Sequence, residues 1–223
     1  MVQISFQFGR NRAIDLFSGR GRRMLATGRP SNLHKLAVQL TFDPTVKSLR
    51  FVTSLPVASE EVAVGMLVVE RDTGRVAYDI VDERPLRDID SEGLLLIALE
   101  RHGITRVEVD ARSIDSEPRA GNCSRIWTHR DVEVDPDLRA RIDGALEARR
   151  LSVRELGRAT KLRSAMAPVC ALLCRRILYI ELSTKLGPAS WVARRADFSA
   201  DTSPVQRQEL TATEGGELGG SKR

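Results

Sequence analysis

The stretch Val62-Ala-Val-Gly-Met-Leu-Val-Val69, then Asp72-Thr73-Gly74, then Arg75-Val-Ala-Tyr-Asp-Ile-Val81 decides how this chain folds. Two runs rich in β-branched and aromatic residues flank a tripeptide suited to a tight turn, which predicts an antiparallel hairpin. Upstream, Val46–Leu55 reads as one more strand. Before it, Ser31 or Asn32 caps a helix whose Leu33, Leu36, Ala37 and Leu40 share a face, and Asp43-Pro44 stops that helix. Downstream, a helix starts near Asp90-Ser91, buries Leu94, Leu95, Ile97 and Leu99, and ends at Gly103. Ile104–Asp110 alternates Val107 and Val109 with Glu108 and Asp110, the pattern of a half-buried strand. The order α-β-β-β-α-β over 31–110 predicts an α/β sandwich with one helical crossover, not a doubly wound sheet.

Residues 111–130 hold no sustained period and read as irregular, anchored by Trp127. A second module follows. Asp135-Pro136 is a cap with a first-turn proline, and Leu138, Ile142, Ala145 and Leu146 form one stripe. Ser152-Val-Arg-Glu155 is a capping box. A third helix runs through Met166, Val169, Leu172 and Leu173, and short strands at Leu178–Leu182 and Trp191–Arg194 flank Gly187-Pro188. Three helices and a hairpin predict a winged helix. The expected organisation is a flexible basic arm at 1–30, an α/β domain at 31–130, a winged helix at 131–195 and a disordered tail at 196–223. Within the arm, residues 4–8 alternate as an edge strand would.

The chain has 223 residues, 42% of them hydrophobic, enough for a buried core. No run approaches the roughly 18 apolar residues of a membrane helix, and the arginines of the N-terminus do not suit a signal peptide. Its 3 cysteines do not make a disulfide framework, so a reducing cytoplasm is the expected setting. Lys+Arg 35 exceeds Asp+Glu 30, and the excess sits at two places. Residues 1–30 carry six arginines against Asp15 alone, and residues 131–195 hold 13 basic against 8 acidic groups. Arginine's planar fork suits phosphate, so these segments predict contacts with a polyanion. The candidate DNA-binding residues are Arg10, Arg12, Arg20, Arg22 and Arg23 in the arm, with Arg149, Arg150, Arg154, Arg158, Lys161 and Arg163 in the second module.

Short motifs add a family likeness. Ser31-Asn-Leu-His34-Lys35, followed by Phe42-Asp43-Pro44-Thr-Val46, resembles the opening helix of TnsA-type transposon endonucleases. Glu117-Pro118-Arg119 with Asn122 resembles the segment that closes that family's nuclease domain, and the winged helix after it matches the same layout. The resemblance, over about residues 30–195, implies a restriction-endonuclease-like αβββαβ core. Such enzymes hold Mg²⁺ with carboxylates at adjacent strand ends to activate a water.

Carried onto this chain, that catalytic pattern is degenerate. The family's helix Glu falls at His34, its strand Asp near Met66, and its acid-x-Lys at Asp79-Ile80-Val81. No Asp or Glu in the chain is followed two residues later by Lys. Asp82-Glu83-Arg84 supplies a base in a shifted register, but an arginine does not deprotonate. Asp79 and His34 are therefore the remaining catalytic candidates, no metal site is assigned, and Mg²⁺ is the cofactor only if residual chemistry survives. The resemblance implies a catalytically impaired transposition component that binds DNA nonspecifically and docks to transposase or regulatory ATPase subunits.

Two other readings compete. One is an active Mg²⁺ nuclease that joins Asp79 to Asp82 or Glu70, or uses the acidic run Asp79, Asp82, Glu83, Asp88 and Asp90. The other is a winged-helix transcriptional regulator, which the apolar third helix argues against, since a helix that reads bases presents polar groups. That apolar helix suits docking to a protein partner. Cys170 and Cys174, four apart, read as core, and Cys123 has no partner that marks a nucleophile.

Overall fold

A computed structural model describes Ile4–Phe6 and Ser31–Phe198. The first helix, α1 (Asn32–Phe42), begins where the Ser31 hydroxyl accepts the His34 amide and stops at Asp43, ahead of Pro44. Three strands follow: β2 (Ser48–Val57), β3 (Glu60–Arg71) and β4 (Gly74–Ile80). Arg71 pairs with Gly74, so Asp72 and Thr73 are the loop residues, and the hairpin forms where the sequence places it. Helix α2 (Ile89–Arg101) then crosses over to β5 (Ile104–Val109), which lies parallel to β4. Within the basic arm, β1 (Ile4–Phe6) pairs antiparallel with β2 at the sheet edge, as the alternation there predicts. The sheet order is β1-β2-β3-β4-β5.

The pleat sorts this sheet's side chains onto two helices. Leu67, Val69, Tyr78 and Ile80 meet Leu36, Ala37 and Leu40 of α1. Val64, Met66, Val68 and Ala77 meet Leu95 and Leu99 of α2 on the other side. Between Val52 and Ser54 the β2–β3 register slips because β3 carries one extra residue, and Gly65 at φ 64° adopts the left-handed backbone there.

Residues 111–130 are not irregular. They form α3 (Ala111–Ile114), capped by Asp110, and α4 (Arg119–Trp127). Helix α4 has no side-chain cap, and its apolar stripe of Cys123, Ile126 and Trp127, though it faces one side, spans barely more than one turn.

The second module places α5 (Pro136–Ala145), β6 (Leu151–Ser152), α6 (Val153–Ala159), α7 (Met166–Cys174), β7 (Leu178–Ile180) and β8 (Trp191–Arg194) in that order. The capping box forms, with Ser152 and Glu155 satisfying each other's backbone amides. Strand β6, too short to read from sequence, completes an antiparallel sheet of order β6-β8-β7. Residues 196–198, expected to belong to a disordered tail, are instead ordered: Arg195–Asp197 make a turn that Arg194 clamps through Asp197, and the Phe198 ring packs on Tyr179 at 4.7 Å. Residues 199–223 lie outside the described residues.

The apolar core runs across position 130. Val38 and Phe42 of α1, with Cys123 and Ile126 of α4, share one cluster with Ile142, Leu156, Val169 and Leu172. That is why α1 is buried from Leu36 through Phe42, on more than the single face its apolar spacing marks. Polar contacts reinforce the seam. Arg195 donates to the carbonyls of Asp43 (3.0 Å) and Pro44 (2.9 Å), and Arg176 donates to that of Val46. Beneath them the buried Asp43 carboxylate meets Arg71 at 3.1 Å.

Candidate functional site

Asp79 sits near the end of β4. Its neighbours Tyr78 and Ile80 face α1, so the alternation turns Asp79 toward α2, where it is 2% exposed. One carboxylate oxygen lies 2.5 Å from Arg106, 3.3 Å from Arg84 and 3.8 Å from Arg87. Arg106 comes from β5, in register beside Ala77, while Arg84 and Arg87 come from the loop before α2. Each guanidinium also holds a second acid. Arg106 bonds Glu92 of α2 and reaches Glu108 at 2.9 Å. Arg84 meets Glu108 at 2.6 Å, and Arg87 lies 3.5 Å from Glu92. Hydrogen bonding from Arg106 outweighs burial and holds the Glu92 carboxyl below the usual range. Three acids and three arginines thus form one closed, neutral lattice.

That lattice bears on metal chemistry. A divalent cation needs anionic oxygens aimed at a shared point with room for water, and here three guanidinium groups crowd one oxygen of the Asp79 carboxylate. Three of the other four acids of the run accept a backbone amide, and Asp90 is exposed in the first turn of α2. Asp82 accepts from Ala111 (2.6 Å), Glu83 from Asn32 (2.9 Å), and Asp88 from Ser91 as the N-cap of α2. Glu70 pairs with Arg75 at the far end of β4 and accepts from Ser48, about 13 Å along the strand from Asp79. No group of three His, Cys, Asp or Glu residues is placed to hold a metal ion among the described residues.

His34 and Asp79 are not brought together. His34 opens α1 on the opposite face of the sheet, its ring edge-on to Trp127 at 6.2 Å. Burial, then the charge of Arg130, lowers its pKa. It lines a cavity of about 420 Å³ with Lys35, Asp115, Glu117 and Arg130. Here Lys35 and Asp115 pair with each other at 2.7 Å.

No protein-family model matches this chain, and neither does any curated protein.

The six candidate cations of the second module lie between α5 and α7, on or beside β6 and α6. Arg149, Arg150, Arg154, Arg158, Lys161 and Arg163 are all exposed, and none makes an ion pair among the described residues. Arg154 and Arg158 project from the same side of α6, one turn apart. Arg10, Arg12, Arg20, Arg22 and Arg23 lie outside the described residues.

Helix α7 corrects one expectation. Its apolar surface is not open for a partner: Val169 through Cys174 are all buried, within the cluster that includes α1 and α4. Burial raises the Cys170 and Cys174 thiols to about 11 and about 12, and Cys123 to about 12, so all three are inert core. The Glu117…Asn122 motif also has a structural task. Asn122 donates to the carbonyls of Leu182 (3.0 Å) and Thr184 (2.7 Å) and accepts from Leu186 (2.9 Å), pinning the β7–β8 loop to α4.

Sequence reasoning overlooked Arg87 and Arg106, and considered Arg84 only as a base. The signal was present in β5, where Arg106 and Glu108 alternate with Val107 and Val109 and so occupy one face beside Asp79.

Proposed function

We propose that this chain is a TnsA-like, noncatalytic component of a DNA transposition or mobile-element complex that grips DNA through its backbone. In this reading residues 31–130 are a restriction-endonuclease-like domain and 131–195 a winged helix. The αβββαβ order, the helices on opposite sheet faces and the β6-β8-β7 order support that fold. Leu67 pairs with Tyr78, so Met66 and Asp79 fall side by side on the α2 face. These positions, with Val81, are where the family's strand acids and lysine would stand, its helix Glu falling at His34. Two are apolar, and the third is the acid locked by arginines.

The observation that carries the DNA reading is the set of six exposed cations, none of which makes an ion pair among the described residues. Contacts to phosphate give affinity without sequence information. The helix that would read bases in a winged helix is α7, and its burial against α1 and α4 argues against the regulator alternative. Transposase or regulatory ATPase subunits are the implied protein partners. An apolar surface that could meet them is formed by Leu86, Ile89 and Leu96 together with Leu94 and Ile97, which the helical spacing assigns to the core but which are exposed on α2. No helix among the described residues is long and apolar enough to cross a membrane.

The test is fluorescence anisotropy of the full chain with several unrelated duplexes of equal length. The expected result is affinities within a few-fold of one another, with no strand cleavage when Mg²⁺ is added. One duplex bound a thousandfold more tightly, the scale of specific recognition, would favour the regulator. Cleavage abolished in Asp79→Asn would establish the nuclease.

A further inference from the structure

We infer that a cleft at the β7–β8 end of the second module is a stacking site for an unpaired nucleobase of single-stranded DNA. This deepens the DNA-binding reading and rests on it. The cleft measures about 520 Å³, within the range of small-ligand sites, and is lined by Trp191, Tyr179 and Phe198 together with Arg150 and Lys185. The chain has 2 tryptophans, and Trp191, unlike the half-buried Trp127, is 50% exposed. An indole left in water on a strand next to a cleft buries little apolar area in its own fold. It offers a flat π surface instead.

The charge around the ring suits the same ligand. The Arg150 guanidinium lies 5.4 Å from the Trp191 ring centroid, a cation–π pair that fixes the ring and sets a permanent positive charge beside it. Arg150 has no carboxylate partner among the described residues, and Lys185 adds a second exposed cation at the rim. The two acids in the lining are already engaged. Asp197 is held by Arg194 at 2.8 Å, and Glu181 accepts from the Ser183 amide and the Tyr179 hydroxyl. Aromatic faces beside phosphate-binding cations are how proteins hold single strands without reading sequence.

The cleft also continues the basic surface. Val153 and Arg154, at the start of α6, donate their backbone amides to Ser190 and Pro188 in the loop that leads into Trp191. The start of α6, which carries the exposed Arg154, is thereby tied to the loop that leads into the cleft. A duplex keeps its bases stacked on each other and cannot use the ring.

The experiment follows Trp191 emission in the full chain carrying Trp127→Phe, titrated with a 12-nucleotide oligothymidylate and with a 12-base-pair duplex. The expected result is saturable quenching by the single strand and little quenching by the duplex. Trp191→Ala should weaken single-strand binding roughly 5- to 150-fold and duplex binding by less than about twofold. Arg150→Gln, at an exposed position, should weaken single-strand binding with thermal stability little changed. Single-strand binding without any change in Trp191 emission would overturn the inference, as would an equal loss of both ligands in Trp191→Ala. Duplex binding with no single-strand quenching removes this inference alone. Binding of neither removes the DNA reading too, and quenching by the single strand alone keeps this site while removing the duplex reading.

Discussion

Replacing Asp79 with alanine separates a structural carboxylate from a catalytic one. The side chain is 2% exposed, and its partners Arg87 and Arg106 are only 12% and 13% exposed. Removing one member of a buried ion pair leaves the opposite charge uncompensated, which costs about 3–5 kcal/mol. Here Glu92 and Glu108 still hold the stranded guanidinium groups, so the loss falls at the lower end, about 3 kcal/mol. For a chain of this size that lowers the melting temperature by roughly 6–12 °C. The assay is thermal and urea unfolding of Asp79→Ala, Arg106→Ala and the double variant. The double variant should lose clearly less than the two single losses combined, because each single change strands the other charge. An acid of an empty metal site behaves oppositely: its removal relieves repulsion from neighbouring acids and leaves stability unchanged or higher. A melting temperature for Asp79→Ala equal to or above wild type would refute the closed lattice.

Other expectations follow from the same contacts. Asn122→Ala leaves two carbonyls and one amide of the β7–β8 loop without their partner and should cost about 2–4 kcal/mol in urea unfolding. Glu92 has a folded pKa below its ordinary value, so its stabilising contribution is complete above about pH 4.3 and fades as the pH falls through the folded pKa. Glu92→Gln should flatten that acid limb of the stability curve. Cys123, Cys170 and Cys174 should resist iodoacetamide at pH 8 in the native chain and react once urea unfolds it, because burial holds each thiol protonated. Gly65→Ala forces a side chain into left-handed backbone at the β3 bulge and should cost about 1–2 kcal/mol.

The elements legible in the sequence are those with a strong local signal. The Asp72-Thr73-Gly74 turn, the Ser31 cap, the Ser152–Glu155 box and the alternation of 104–109 each rest on neighbours in the chain. What was not legible depends on distant partners. Helix α4 is held by Asn122 and Arg125 bonding a loop some sixty residues away, and its nine residues carry neither a cap nor more than a one-turn apolar stripe. The apolar character of α7 says that the helix is covered, but not whether α1 and α4 or another protein covers it. Asp79 could be singled out, and its fate could not. Arg84, Arg87 and Arg106 converge on it only because β4, β5 and the intervening loop meet at one sheet end. His34 and Asp79 illustrate the converse: both invite a catalytic reading in one dimension, and the sheet stands between them.

The most direct measurement of the central claim is the salt dependence of duplex binding for the full chain and for the variant Arg154→Glu/Arg158→Glu/Lys161→Glu. The three positions are exposed and free of ion pairs among the described residues, so the variant should fold normally. Each phosphate contact contributes about 0.9 to the slope of log K against log salt. The account predicts a steep negative slope for the wild-type chain, shallower by about 3 in the variant. Equal slopes for both chains, or binding that ignores salt, would contradict it.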